Sequence, residues 1–96
     1  MKQVSVYVDN PMPSAKPVGH FPEGTRWCHL IADSEVELHD FVSKLGMKRE
    51  WFQAGPGRIP HYDLTESTRT RAIEEGAIPL PRREFIQIGN RIRWTS

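Results

Sequence analysis

The stretch Ser34-Glu35-Val36-Glu37-Leu38-His39-Asp40-Phe41-Val42-Ser43-Lys44-Leu45-Gly46 settles the fold class. Ser34 and Glu37 have the spacing of a capping box, in which each side chain meets a free backbone N–H of the other residue, so a helix starts here. Leu38, Phe41, Val42 and Leu45 follow at i, i+3, i+4 and i+7 and make one apolar face, and Gly46 stands where a left-handed C-terminal cap is needed. The spacing predicts a helix over 34–45 that is apolar along one side only. Such a helix has to lie on another layer, and the segments on both sides of it supply strands.

Immediately upstream, residues 27–32 form a strand pattern ended by Asp33-Ser34. Earlier still, Val4, Val6 and Val8 alternate with Ser5 and Tyr7, a second strand pattern stopped by Asp9-Asn10-Pro11. Residues 11–25, between the two, are rich in proline and glycine and predict a long loop, of a kind that is often functional in compact domains. Downstream, residues 47–53 suggest a strand before Ala54-Gly55-Pro56-Gly57 breaks the chain, and His61-Tyr62-Asp63-Leu64 is extended in character. Thr65 caps a second helix over 66–75 that stops at Gly76, and residues 77–80 resemble a short buried strand. At the end, Ile86-Gln87-Ile88 and Arg91-Ile92-Arg93-Trp94 alternate about Gly89-Asn90, which predicts a β-hairpin with a two-residue turn. The order predicts one α/β domain over residues 1–96: a small, partly parallel mixed sheet, two main helices, and a C-terminal hairpin appended over 84–96.

A chain of 96 residues holds one core and not two. With 38% hydrophobic and 26% charged residues the composition is globular, and a net charge of +1 gives no global field toward nucleic acid or an anionic membrane. Cys28 is the lone cysteine, which fits a reducing cytoplasm, and there is no run of about 20 apolar residues to span a membrane. The expectation is a cytoplasmic protein without membrane contact.

Several runs together resemble the family called domain of unknown function 4031, found in bacteria and their phages. They are Val6-Tyr7-Val8-Asp9, Trp27 with His29-Leu30 and Ala32-Asp33, Glu37-Leu38-His39-x-Phe41, Leu45-Gly46, Trp51-Phe52-Gln53, and His61-Tyr62-Asp63-Leu64-Thr65 followed by Arg69. They cover residues 4–80 in the family's order. Thr68 departs from the Lys expected beside Arg69, and the tail lies outside the familiar pattern. The resemblance implies a family and no activity.

Candidate chemistry lies where strands end, because loops past the carboxyl ends of α/β strands line the ligand crevice. Asp9 and Asp33 occupy such positions, where each could hold a metal, orient a base or accept from a ribose hydroxyl; equally, Asp9 could start a turn and Asp33 assist the helix cap. His61 and Asp63 are two apart, so in an extended segment they share a face, and a carboxylate beside an imidazole tunes it for proton transfer. The same spacing also arises on a solvent-facing edge. Gln53 could orient a substrate or cap a strand. His29, in phase with Trp27 and Ile31, is either a satisfied core histidine or a group projecting into a pocket. His39 is structural or exposed. Arg69, in the first turns of the second helix, could clamp an anion with the helix N-terminus, helped by Arg58, or could form a surface ion pair. No histidine pair has a recognised zinc spacing, and neighbouring Cys28 and His29 point to opposite faces of a strand, so neither a metal nor a Cys-His nucleophile is expected.

These residues predict a pocket for a small anionic, nucleotide-like ligand, lined by Asp9, His29, Asp33, Gln53, His61, Asp63 and Arg69, with no cofactor. Hydrolysis of that ligand would use His61, tuned by Asp63, as the catalytic proton carrier. The competing expectation is a phage or bacterial accessory module that pairs with a protein partner, or with itself, through the hairpin. Nucleic-acid binding through the basic tail is a weaker third, disfavoured by the near-neutral charge.

Overall fold

The computed structural model describes residues 5–13 and 24–92. Along the chain these form β1 (Val6–Val8), β2 (Met12–Pro13), β3 (Arg26–Ala32), α1 (Glu35–Lys44), a 3-10 turn (Arg49–Trp51), β4 (Tyr62–Thr65), α2 (Glu66–Glu74), β5 (Ile78–Pro79) and α3 (Arg82–Arg91). Helix α1 starts as its sequence predicts: Ser34 Oγ accepts the Glu37 N–H at 3.2 Å, and Gly46 closes it at φ 76°. The reciprocal half of the capping box is replaced. The Glu37 carboxylate accepts the backbone N–H of Ser5 at 3.2 Å and so ties the helix to the start of β1.

The sheet is mixed and five-stranded, with β3 at its centre. Leu30 faces Val8 on one side and Tyr62 on the other, and Trp27 likewise faces Met12 and Thr65. Strand β4 therefore takes one edge of β3 while β1 and β2 share the opposite edge, and β5 pairs parallel to β1 beyond them. Between the Val8–Leu30 and Met12–Trp27 pairs the edge strand runs through residues 9–11 against residues 28–29 of β3, one residue too many. That excess is a β-bulge, and it re-aims Asp9.

Period-two alternation sorts the two faces. Val6, Val8, Cys28, Leu30, Ala32, Tyr62 and Leu64 are buried together against Leu38, Phe41, Val42 and Leu45 of the α1 segment and Ala72 of α2. Burying side chains such as Leu38 and Phe41 stabilises the fold by roughly 1.5–3 kcal/mol each. The opposite face carries Trp27, His29, Ile31 and Asp63, and α3 lies over it through Phe85.

Three expectations are corrected. The C-terminal hairpin is instead helix α3: Phe85, Ile88, Gly89 and Ile92 recur at helical spacing, and Phe85 and Gly89 are its buried residues. Gly89 makes no turn; it permits a close approach, since a Cβ there would come within 2.7 Å of Ile59 Cδ1. Residues 47–53 form the 3-10 turn with one isolated bridge, Gln53–His61, in place of a strand. The strand after α2 is short and exposed, with Ile78 37% accessible. Residues 14–23 of the expected loop, Val4 of the first strand pattern, and Arg93 and Trp94 of the tail lie outside the described residues. Among those described, no helix is long and apolar enough to cross a membrane.

Candidate functional site

Register and pleat assemble the site on the face away from the main core. His29 of β3 stands directly across from Asp63 of β4, and His61, two residues before Asp63, projects to the same side. The isolated bridge brings Gln53 to His61. The bulge turns Asp9 inward, where it is 2% exposed.

The hydrogen bonds fix which atoms remain open. Asp9 Oδ1 accepts the backbone N–H of His29 at 2.7 Å, doing what a ladder carbonyl does elsewhere, and its Oδ2 lies 2.8 Å from His29 Nδ1. A carboxylate can only accept, so His29 Nδ1 carries the proton and Nε2 is left open. His61 Nδ1 donates to the Ile59 carbonyl at 2.8 Å, which leaves its Nε2 open too. Gln53 Nε2 donates to Asp63 Oδ2 at 2.6 Å. The other oxygen, Asp63 Oδ1, is buried and without a hydrogen-bond partner among the described residues. His61 Nε2 is 3.5 Å from it, an ionic contact too long for a strong hydrogen bond. One donor atom from each of His29, His61 and Asp63 lies within 4.8 Å of the others, so these residues are the ones that could share an ion.

Burial disfavours the charged form of His61, but the Asp63 carboxylate and the Ile59 carbonyl outweigh it and the pKa is raised. Burial likewise pushes Asp63 upward, yet His61, Gln53 and His29 more than compensate and its pKa is lowered. Both shifts favour the charged pair. Cys28, behind this face, is pushed up to about 12 by burial and then by the Asp9 charge, so its thiol is no nucleophile near neutrality.

A cleft of about 340 Å³ opens over the Asp9, His29 and His61 side of the cluster. His29, His61 and Asp9 form its floor, Ile31, Ile59, Phe85 and Ile86 its apolar walls, and Arg58 and Arg82 also line it. The Phe85 ring centroid is 6.2 Å from that of His29.

Of the sequence-predicted residues, Asp9, His29, Gln53, His61 and Asp63 thus form one connected cluster. Arg69 lies behind it: its Nε donates to the Asp9 backbone carbonyl at 2.8 Å, which braces the bulge. Asp33 sits elsewhere, accepting from the Tyr7 hydroxyl at 3.3 Å in a separate hollow with Ile88 and Arg91. His39 pairs with the Tyr62 hydroxyl at 2.7 Å on the core side. Sequence reasoning missed Phe85, because residues 84–96 read as a hairpin, and Arg82, which lies just before those bounds; the helical recurrence of Phe85, Ile88, Gly89 and Ile92 is the signal. The Asp9–His29 pairing has no local signature.

A mixed-sheet α/β domain with a partly buried His/Asp cluster beneath its last helix is the class that fold and site define. The chain belongs to the family described as "Protein of unknown function (DUF4031)", whose model matches residues 6–92. The match runs through α3, so this helix, and with it Arg82 and Phe85, falls inside the family region and is not an appendage. Comparisons with curated proteins and with solved structures returned no match.

Proposed function

We infer that the domain binds a small anionic, nucleotide-like ligand in the cleft beneath α3. The observation that carries this reading is the joint lining of one cleft by Arg58 and Arg82 above imidazole groups and between apolar walls. Guanidinium groups recognise phosphate or carboxylate oxygens through paired N–H donors, while Phe85 and Ile86 suit a flat or apolar body. The anion clamp moves from Arg69, which is engaged with the Asp9 carbonyl, to Arg58 and Arg82.

Thermal denaturation with nucleoside mono- and diphosphates, inorganic phosphate and the uncharged nucleosides tests it. A ligand that binds only the folded state adds about 2.7 kcal/mol at a hundred times its Kd. A rise in Tm with the phosphorylated compounds that is lost in Arg58→Ala/Arg82→Ala supports the reading. No rise with any of them, or an unchanged rise in the double variant, refutes it.

A further inference from the structure

We propose that His29, His61 and Asp63 bind one divalent first-row transition metal ion, of the zinc class, at the floor of the cleft. This stands on the cluster's own geometry and does not depend on the anionic ligand.

Each of the three residues has its outer atom fixed and its inner atom open. His29 is held through Nδ1 by Asp9, His61 through Nδ1 by the Ile59 carbonyl, and Asp63 through Oδ2 by Gln53. Metal-binding histidines are oriented in this way, with the second ring nitrogen donating to a carboxylate or a backbone carbonyl. Those bonds leave His29 Nε2, His61 Nε2 and Asp63 Oδ1 without a hydrogen bond among the described residues, and one ligand atom of each residue lies within 4.8 Å of the others. A tetrahedral ion with bonds of about 2.0–2.1 Å holds its donors about 3.3–3.4 Å apart. The 3.5 Å between His61 Nε2 and Asp63 Oδ1 already fits, so small side-chain rotations complete the set.

The independent observation is Asp63 Oδ1. Its side chain is only 9% exposed, and that oxygen has no hydrogen-bond partner among the described residues. The charged group nearest that oxygen is His61 Nε2, at 3.5 Å, too long for a strong hydrogen bond. A metal ion there displaces the proton of a charged His61 from Nε2 and bonds to that oxygen directly.

Two nitrogens and one oxygen are a borderline donor set, which suits zinc, cobalt or ferrous ions and not magnesium or calcium, which prefer oxygen. Three protein ligands leave a coordination position open, and two of them, His29 and His61, line the cleft. Asp9 does not touch the ion and acts as a positioning residue.

The test uses the untagged full chain, stripped with EDTA and titrated with Co²⁺ or Zn²⁺ in buffer free of phosphate. It is read by calorimetry, by metal content per chain and by the visible spectrum of bound Co²⁺. The expected result is one ion per chain with a tetrahedral or five-coordinate Co²⁺ spectrum, and no competition from Mg²⁺. His61→Ala and Asp63→Asn lower affinity by more than about 100-fold, and Asp9→Asn by about 10–100-fold. His39→Ala, which removes an imidazole outside the cluster, leaves it unchanged. Circular dichroism confirms that each variant is folded; if Asp63→Asn is not, His61→Ala decides. No saturable uptake by the wild-type chain, uptake that survives in folded His61→Ala, or uptake lost in folded His39→Ala overturns the proposal.

Discussion

Replacing Asp9 by Asn keeps the shape of a side chain that is 2% exposed and changes only what it offers His29. Asn can still accept the His29 backbone N–H through its oxygen, now made at 2.7 Å by Oδ1. Its amide nitrogen then faces His29 Nδ1, where the carboxylate accepts at 2.8 Å. Two donors cannot pair, so the ring must move its proton to Nε2 or break the contact. A hydrogen bond to a charged group contributes about 1.5–3 kcal/mol, and that is the expected loss in metal-free protein. For a domain of this length it lowers Tm by roughly 6–24 °C, at about 4–8 °C per kcal/mol. Urea denaturation in EDTA measures the loss, and imidazole nitrogen chemical shifts report the tautomer of His29. Asp33→Asn is the control: the same chemical change at an exposed residue, whose contact with the Tyr7 hydroxyl is 3.3 Å, should cost less than about 1 kcal/mol. If Asp9→Asn is as stable as wild type, or His29 keeps its proton on Nδ1, the carboxylate does not set that tautomer and the reasoning fails.

The pH dependence of metal-free stability follows from the shifted pair. Asp63 titrates below its ordinary 3.8, so its contribution is complete above that value and lost as pH falls through the lower folded pKa. His61 titrates above its ordinary 6.5, so its contribution is complete below that value and lost as pH rises through the raised folded pKa. Urea denaturation across pH should therefore show a decline on the alkaline side of 6.5 that His61→Gln flattens; an identical decline in the variant assigns it to other groups. Gly89→Leu improves helix propensity by roughly 1 kcal/mol in isolation. Its Cβ would nonetheless meet Ile59 Cδ1 at 2.7 Å and Cγ2 at 3.3 Å, so a net loss of about 1–3 kcal/mol is expected. A variant as stable as wild type would show that α3 is not seated on Ile59.

Much of the scaffold was legible because its causes are local. A cap needs a residue and its neighbour three positions on, and an apolar stripe needs about two turns. Ser34 with Glu37, the α1 face, the Thr65 cap and Gly46 all held on those terms. The common face of His61 and Asp63 was equally readable, since the pleat alone sets it. The tail misled for the same reason. Ile86-Gln87-Ile88 alternates like a strand, but a strand needs an edge to pair with, whereas Phe85 and Gly89 found a surface to bury against.

The site depended on information that no short window contains. Asp9 meets His29 because one extra residue between two pairings bulges the edge strand, and a register is a property of both strands at once. His29 faces Asp63 because β3 and β4 pair in one alignment out of several that would each bury some apolar residues. Elements follow from contacts a few residues apart; joining His61 and Asp63 to His29 and Asp9 takes distant contacts, such as Asp9 with His29, 20 residues apart, whose closure is settled only when the whole core is packed.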